Sequence, residues 1–384
     1  MKTVFSRFLR NGASVLVVLA VAGCSMFSSS DSRYEPAELT QYPAAIAARQ
    51  AWSVSIGNGA GFGFAPTVVG DATYAATPNG NVVKVALNSG QTLWQTQAGM
   101  RLSAGAGSDG QTTAVAAPDG TVVAFDDQGN EKWQAKATSE VNIPPVVGAG
   151  VVVVRSSDYR IQAFDANSGD LRWSVQRPGP ALALKTTIQM VIIDGLLVTG
   201  LPNGKLMIID ASTGAVQWEG TVSVSQGATD LERISDVVGS PQIQGPLLCG
   251  VTYQGRMACF DISQGGRSVW AQRFSSSTGM ATDHVHAYAA NQRDVVVALS
   301  LIDGNEVWRQ DALRNRRLTA PAVVPQAVVV GDLEGYVHFL AREDGQLLGR
   351  LQVGGGAVVS PIVDTPRGVL VQTSAGNLVM VDLN

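Results

Sequence analysis

The sequence predicts an all-β fold, an eight-bladed β-propeller with four antiparallel strands per blade, and three observations carry that prediction. A phrase of the type AFDANSGDLRW, Ala163 to Trp173, recurs as VALNSGQTLW ending at Trp94, AFDDQGNEKW at Trp133, IIDASTGAVQW at Trp218, CFDISQGGRSVW at Trp270 and ALSLIDGNEVW at Trp308. With Trp52 included, the tryptophans are spaced 42, 39, 40, 45, 52 and 38 residues apart, the period of propeller blades or solenoid turns. Finally, the chain closes on a third strand, VMVDLN, whereas an orphan fourth strand, Ala51-Trp52-Ser53-Val54-Ser55, precedes the first full unit. Pairing the two completes an eighth blade and removes two open sheet edges, which favours a ring over an open solenoid.

Each element of the unit has its own signal. Strand A follows a proline in Ala65-Pro66, Pro144-Pro145, Ser240-Pro241, Ala320-Pro321 and Ser360-Pro361, where the missing N–H costs no ladder bond. Strands B and C flank a turn, read at Asn79-Gly80, Asp119-Gly120, Asp158-Tyr159, Asn203-Gly204, Gln254-Gly255, Gln292-Arg293, Glu334-Gly335 and Ala375-Gly376. The repeated phrase then supplies the second turn, with an aspartate to accept turn N–H groups and a glycine for positive φ, and strand D carries the tryptophan. Trp52, Trp94, Trp133, Trp173, Trp218, Trp270 and Trp308 therefore read as packing between blades. One unit departs: Leu340 to Gly349 keeps Gly345 but has Gly349 in the tryptophan slot, a junction that is either looser or filled by Leu348. Composition agrees, with 45% hydrophobic residues, 15% charged and 42 glycines, favouring short strands and turns over solvated helices.

The N-terminus is organised differently. Lys2, Arg7 and Arg10 precede an apolar run, Val15 to Ala22, too short to span a bilayer. Val21-Ala22-Gly23-Cys24 resembles the lipobox of bacterial lipoproteins, which implies cleavage before Cys24 and diacylglycerol on its thiol, a stable anchor once more than one acyl chain is attached. Ser25 at the next position resembles the choice that sorts such proteins to the outer membrane. The expected organisation is a leader over 1–23, a lipidated flexible tether over 24–48 and the propeller over 49–384. Without the leader's three cations, 24 Lys and Arg face 31 Asp and Glu, a net charge of −7, which argues against a nucleic-acid partner.

Cys249 and Cys259 flank the Gln254-Gly255 turn on two paired strands. A two-residue turn places them diagonally on opposite faces, whereas another loop length brings them together, so the sequence leaves their bonding open. Other candidate chemistry is weak. His284-Val285-His286 puts two imidazoles at metal-compatible spacing on one strand face, with Asp283 able to orient one, but no third ligand accompanies them and they read as exposed polar residues. The run Gly57-Asn58-Gly59-Ala60-Gly61-Phe62-Gly63 joins strand D to strand A and opens no helix, so it is a connection and not a phosphate loop. The aspartates recur in turns and form no catalytic pair.

Function is expected where the period breaks, because loops on a rigid scaffold are free to specialise. The intervals Trp173–Trp218 and Trp218–Trp270 exceed 40 by 5 and 12 residues, and both excesses fall in consecutive D-to-A connections on one face of the ring. The first carries Pro180-Ala181-Leu182-Ala183-Leu184-Lys185, the second Ala228 to Asp236. Two leucines beside a charged loop look like an apolar anchor with a polar rim, or like satellite core under the loop.

The docking phrase over residues 51–384 resembles the PQQ-type propeller repeat. Together with the lipobox, the serine-rich tether and the segments ALALK and ATDLERISDVVGSP, it resembles the BamB family of outer-membrane β-barrel assembly lipoproteins. The resemblance implies a non-enzymatic, lipid-anchored subunit on the periplasmic side of the outer membrane, without cofactor, that binds the POTRA domains of BamA within the BAM complex and assists barrel insertion. It implies partner-binding roles for Leu182, Leu184, Lys185 and Asp236. The family pattern usually has arginine at position 185 and a second aspartate at 238, where this chain has Lys185 and Val238. Transient capture of unfolded substrate strands is a further partner class. The rival reading is a periplasmic PQQ-binding oxidoreductase, against which stand the absence of adjacent cysteines and of the loop insertions those enzymes carry; a polysaccharide-binding propeller is poorly supplied at 6% aromatic residues.

Overall fold

The computed structural model describes residues 34–59, 61, 63–186 and 188–383. The leader and the lipidation site expected at Cys24 lie outside the described residues. Eight separate four-stranded antiparallel sheets follow one another along the chain: blade 1 over 67–97, blade 2 over 107–136, blade 3 over 146–176, blade 4 over 190–221, blade 5 over 237–274, blade 6 over 280–310, blade 7 over 322–352 and blade 8 over 363–383. Blade 8 has only three strands of its own. Its fourth is Ala48–Ser55, which pairs antiparallel with Asn377–Leu383 from Ser55↔Asn377 to Ala48↔Leu383. The ring closes as expected, and Asp382, almost fully buried, accepts from Arg49 across the closing seam at 3.0 Å and from Arg367 within blade 8 at 2.8 Å.

The recurring phrase is inter-blade glue. Each turn glycine lies under the tryptophan of the preceding blade: Gly90 under Trp52, Gly129 under Trp94, Gly169 under Trp133, Gly214 under Trp173, Gly304 under Trp270 and Gly345 under Trp308. Gly169 shows why no other residue serves, since it has φ +79° and a Cβ there would sit 2.7 Å from the Trp133 ring. The same indoles donate Nε1–H to backbone carbonyls of the next blade, Trp133 to Ala166 at 3.1 Å and Trp173 to Ala211 at 2.8 Å, with matching bonds from Trp52, Trp94, Trp270 and Trp308. Each of these six tryptophans thus packs its ring and satisfies its one donor in a single pose, with Trp133, Trp173, Trp270 and Trp308 buried. Trp218 packs edge-on against Phe260 at 5.3 Å. Behind the tryptophans, Val, Ile, Leu and Ala of the inner strands form cores shared by neighbouring blades, as where Val153 and Ile161 of blade 3 meet Leu197 and Met207 of blade 4.

Blade 7 explains its own departure. A tryptophan in its strand D, Leu347–Gln352, would need a C–D turn in blade 8 to lie on, and blade 8 has none because its strand D comes from the other end of the chain. Residues expected in the flexible tether occupy the gap instead. Ala45 and Ile46 donate backbone N–H to Leu348 O at 2.7 and 3.1 Å, Arg350 donates to Thr40 O at 2.9 Å, and Ile46 packs with Leu348 and Leu351. A Cβ at position 349 would lie 3.1 Å from Ile46 O, so Gly349 is the residue that lets this strap approach. The junction is filled by Ile46 as well as Leu348, and packed structure begins before residue 49.

The B–C hairpins are also one residue longer than a two-residue loop. In blade 5 Val251 pairs with Met257, so the loop centres on Gln254 and Cys249 faces Cys259 directly. The two are disulfide-bonded and fully buried, which resolves the alternative the sequence left open.

Candidate docking face

Both long connections run between strand D and the next strand A, over 177–189 and 222–236, as the spacing indicated. The first is pinned over a long reach. Tyr159 Oη donates to Pro180 O at 3.0 Å, Thr186 Oγ1 donates to Ser277 O at 2.6 Å, and Gln189 N–H donates to Gly239 O at 3.1 Å. The loop therefore leaves blade 3 and crosses to the connection that follows blade 5.

Its three expected contact residues have different fates. Leu182 is 43% exposed, and Leu184 is half-buried against the cluster of Val238, Cys249 and Met280. Lys185 is exposed, its Nζ 3.8 Å from Glu140, a solvated pair worth little on its own. Leu184 is satellite core under the loop, whereas Leu182 points outward.

Asp236 corrects an expectation. A carboxylate presented to a partner must be exposed, yet Asp236 is 0% exposed and faces inward. One oxygen accepts the Leu184 amide at 2.6 Å and the other the Asn203 amide at 3.3 Å. Burial pushes its pKa above the usual aspartate value, against the opposing pull of those two N–H groups and of the Arg155 charge. Asp236 is a positioning residue that ties the two long connections together. Val238 is likewise buried, at 1%, in an apolar environment that has no use for a charge.

The second connection builds a single helical turn capped in both directions: Glu232 accepts from Ala228 N and Thr229 N at 2.8 and 3.1 Å, and Thr229 Oγ1 accepts from Glu232 N at 3.3 Å. Arg233 clamps it by donating to Gly227 O and Ala228 O. The turn leaves Leu231 67% exposed, and Val224 earlier in the same connection is 69% exposed. Sequence reading passed over both. The available signal was an isolated apolar residue inside an otherwise polar, aperiodic loop. Two connections thus present Leu182, Val224 and Leu231 as exposed apolar residues on a polar ground.

The family model described as "Outer membrane protein assembly factor BamB" matches residues 78–310. The chain belongs to the BamB family. It is 62% identical over 374 residues to the curated "Outer membrane protein assembly factor BamB" of Bordetella pertussis, covering 97% of each chain. The crystal structure of BamB from Moraxella catarrhalis superposes with a TM-score of 0.80 at 23% identity, covering 88% of this chain and 100% of that one. A quinohemoprotein alcohol dehydrogenase from Comamonas testosteroni gives 0.65 at 14% identity, covering 88% and 76%, a likeness of fold alone.

The histidine candidates of this BamB-family chain do not form a metal site among the described residues. His284 and His286 are not two positions of one strand face: His284 lies in the A–B turn of blade 6, its Nδ1 2.6 Å from Gln244 Nε2, while His286 opens the strand with Nδ1 3.2 Å from Tyr288 Oη. Asp283 caps that turn by accepting from Val285 N and His286 N, and its other oxygen accepts from Tyr288 Oη at 2.8 Å. Among the described residues no group of three metal-ligating side chains forms. Among the described residues no helix is long and apolar enough to cross a membrane.

Proposed function

We propose that this chain is a non-enzymatic scaffold subunit of the outer-membrane protein assembly machinery, held at the outer membrane by lipid on Cys24. In this reading it docks on the periplasmic POTRA domains of BamA through the two long connections and assists the insertion of β-barrel proteins. The observation that carries it is Leu182, held out on a loop that is tied down before it by the Tyr159–Pro180 bond and after it by the Asp236 carboxylate and the Thr186–Ser277 bond. An exposed leucine on a pre-ordered loop docks without a large ordering cost. Leu184 supports the loop from beneath, and Lys185 contributes a rim charge, which affects association rate more than affinity.

The test is binding of the unlipidated mature chain to POTRA domains of its own organism's BamA, by calorimetry. Leu182→Ala/Leu184→Ala is compared with wild type after circular dichroism shows both folded. Loss of binding in the variant supports the reading; a folded wild-type chain that does not bind removes it.

A further inference from the structure

One blade departs from the repeat in a way that the docking surface does not use. Three residues before the centre of each B–C hairpin, the other blades carry Ala76, Ala116, Gly200, Val251, Ala290, Gly331 and Gln372; blade 3 carries Arg155. Arg155 is 8% exposed. Among the described residues its guanidinium makes one hydrogen bond, Nη1–H to Gly200 O, and no ion pair. Gln372 makes the equivalent bridge, Nε2–H to Ala76 O at 3.1 Å. A neutral amide thus suffices for the bridge, and the charge and remaining donors of Arg155 are surplus to it.

Those donors face a cavity of about 360 Å³ on the docking face, within the size range of small-ligand pockets. Phe64, Ile143, Leu184 and Ile188 give it an apolar wall, and Tyr159, Lys185 and Asp236 border it, the Asp236 carboxylate already held by the Leu184 and Asn203 amides. Tyr159 is itself a departure. It occupies the hairpin slot held by Gly80 and Gly120 in blades 1 and 2, at φ +65°, a backbone conformation that costs an aromatic residue on the order of 1 kcal/mol. Blade 3 therefore gives up the repeat's glycine and a small residue together, and both replacements border the same cavity.

We propose that this cavity is a receptor for a carboxylate carried on a small apolar body, the carboxylate taken by Arg155 and the body by the apolar wall. A guanidinium binds carboxylate with paired, charge-assisted hydrogen bonds, and Arg155 interacts with Asp236 only through space, with no hydrogen bond or ion pair between them, so its remaining donors are left for an incoming anion. The ligand is either a free molecule or an acidic side chain with its apolar neighbour on a docking protein. The site goes beyond the proposed docking role and does not depend on it.

The experiment uses 3-phenylpropionate as probe and 3-phenylpropanol as its uncharged counterpart, titrated calorimetrically into wild type and into Arg155→Gln, which keeps the inter-blade bridge. Expected is binding of the acid at least about tenfold tighter than the alcohol, a preference abolished in Arg155→Gln and partly kept in Arg155→Lys. In a parallel arm, Arg155→Gln is tested against the POTRA domains. Weakened POTRA binding, competed by the probe in wild type, assigns the carboxylate to the partner; unchanged POTRA binding with the probe preference intact assigns it to a free molecule. Equal binding of acid and alcohol, or an acid preference that survives Arg155→Gln, overturns the proposal. So does an absence of probe binding together with POTRA affinity indifferent to Arg155. Failure of POTRA binding itself leaves the probe arm readable.

Discussion

The Asp236 carboxylate accepts the Leu184 amide across 2.6 Å from a fully buried position, so the residue that shapes the proposed docking loop does not lie on its surface. Asp236→Asn keeps an acceptor for one amide but cannot satisfy Leu184 and Asn203 alike. Affinity for the proposed POTRA partner is expected to fall severalfold although the side chain at position 236 is buried. The pH dependence has a definite sign. Because the folded-state pKa is raised, the native protein binds this proton more tightly than the unfolded chain, and the contribution of Asp236 to stability declines as pH rises from the ordinary aspartate value through the raised one. Asp236→Asn should therefore gain on wild type between pH 3.5 and 7 in urea unfolding. A variant that falls further behind as pH rises would show that the ionised form is the stabilised one.

The turn aspartates run the other way. Asp210 is held below the usual aspartate value by the Ser212 hydroxyl and by backbone and hydroxyl bonds from Thr213. Asp126 and Asp261 are lowered likewise, chiefly by the side chains of Asn130 and Ser263. A depressed folded pKa gives stability that is present above the unfolded value near 4 and is lost as pH falls through the folded one. Wild type and Asp210→Asn should differ in urea midpoint at pH 6, with the gap narrowing below pH 4. A gap that does not change with pH would remove the charge from the explanation.

The ring was legible because its marks are local and repeated: the glycine at 169 and the tryptophan at 173 each obey a rule that operates within a few residues. The two long connections were legible as breaks in that period. What the sequence hid was direction and depth. Asp236 and Glu232 are both acidic residues of one loop, yet one is a buried tie and the other a helical cap, and only three-dimensional packing separates them. The same holds for Arg155, whose neighbours Gly200 and Leu184 are 45 and 29 positions away in the chain, and for Leu182 against Leu184, where one apolar residue faces out and the next but one faces in.

The Cys249–Cys259 bond joins directly opposed residues of adjacent strands beneath Leu184, ten positions apart. Closing a loop of that size restricts the unfolded chain by about 2 to 3 kcal/mol. Cys249→Ala/Cys259→Ala should lower the urea midpoint accordingly, and wild type should match it only when unfolded in the presence of reductant. Since both sulfurs are buried, thiol reagents should not reach them in the folded protein. A wild-type midpoint indifferent to reductant would show the pair to be unbonded in solution.

Gly349 gives the sharpest test of how the repeat and the closure depend on each other. By the logic of the sequence, Gly349→Trp restores the consensus and should stabilise blade 7. By the logic of the structure it cannot, because blade 8 has no C–D turn glycine to receive the ring, and the space is held by the strap, whose Ile46 carbonyl would lie 3.1 Å from the new Cβ. Either the indole turns into solvent or it displaces residues 40–46, losing the Ala45 and Ile46 bonds to Leu348 and uncovering Leu351. The overpacking penalty is about 1 to 3 kcal/mol. The expected outcome is a lower urea midpoint together with faster proteolysis within 38–47, whereas Gly349→Ala should show a smaller shift in the same direction. A Gly349→Trp protein that is more stable than wild type, with its N-terminal segment equally protected, would mean that the strap is not what fills this junction.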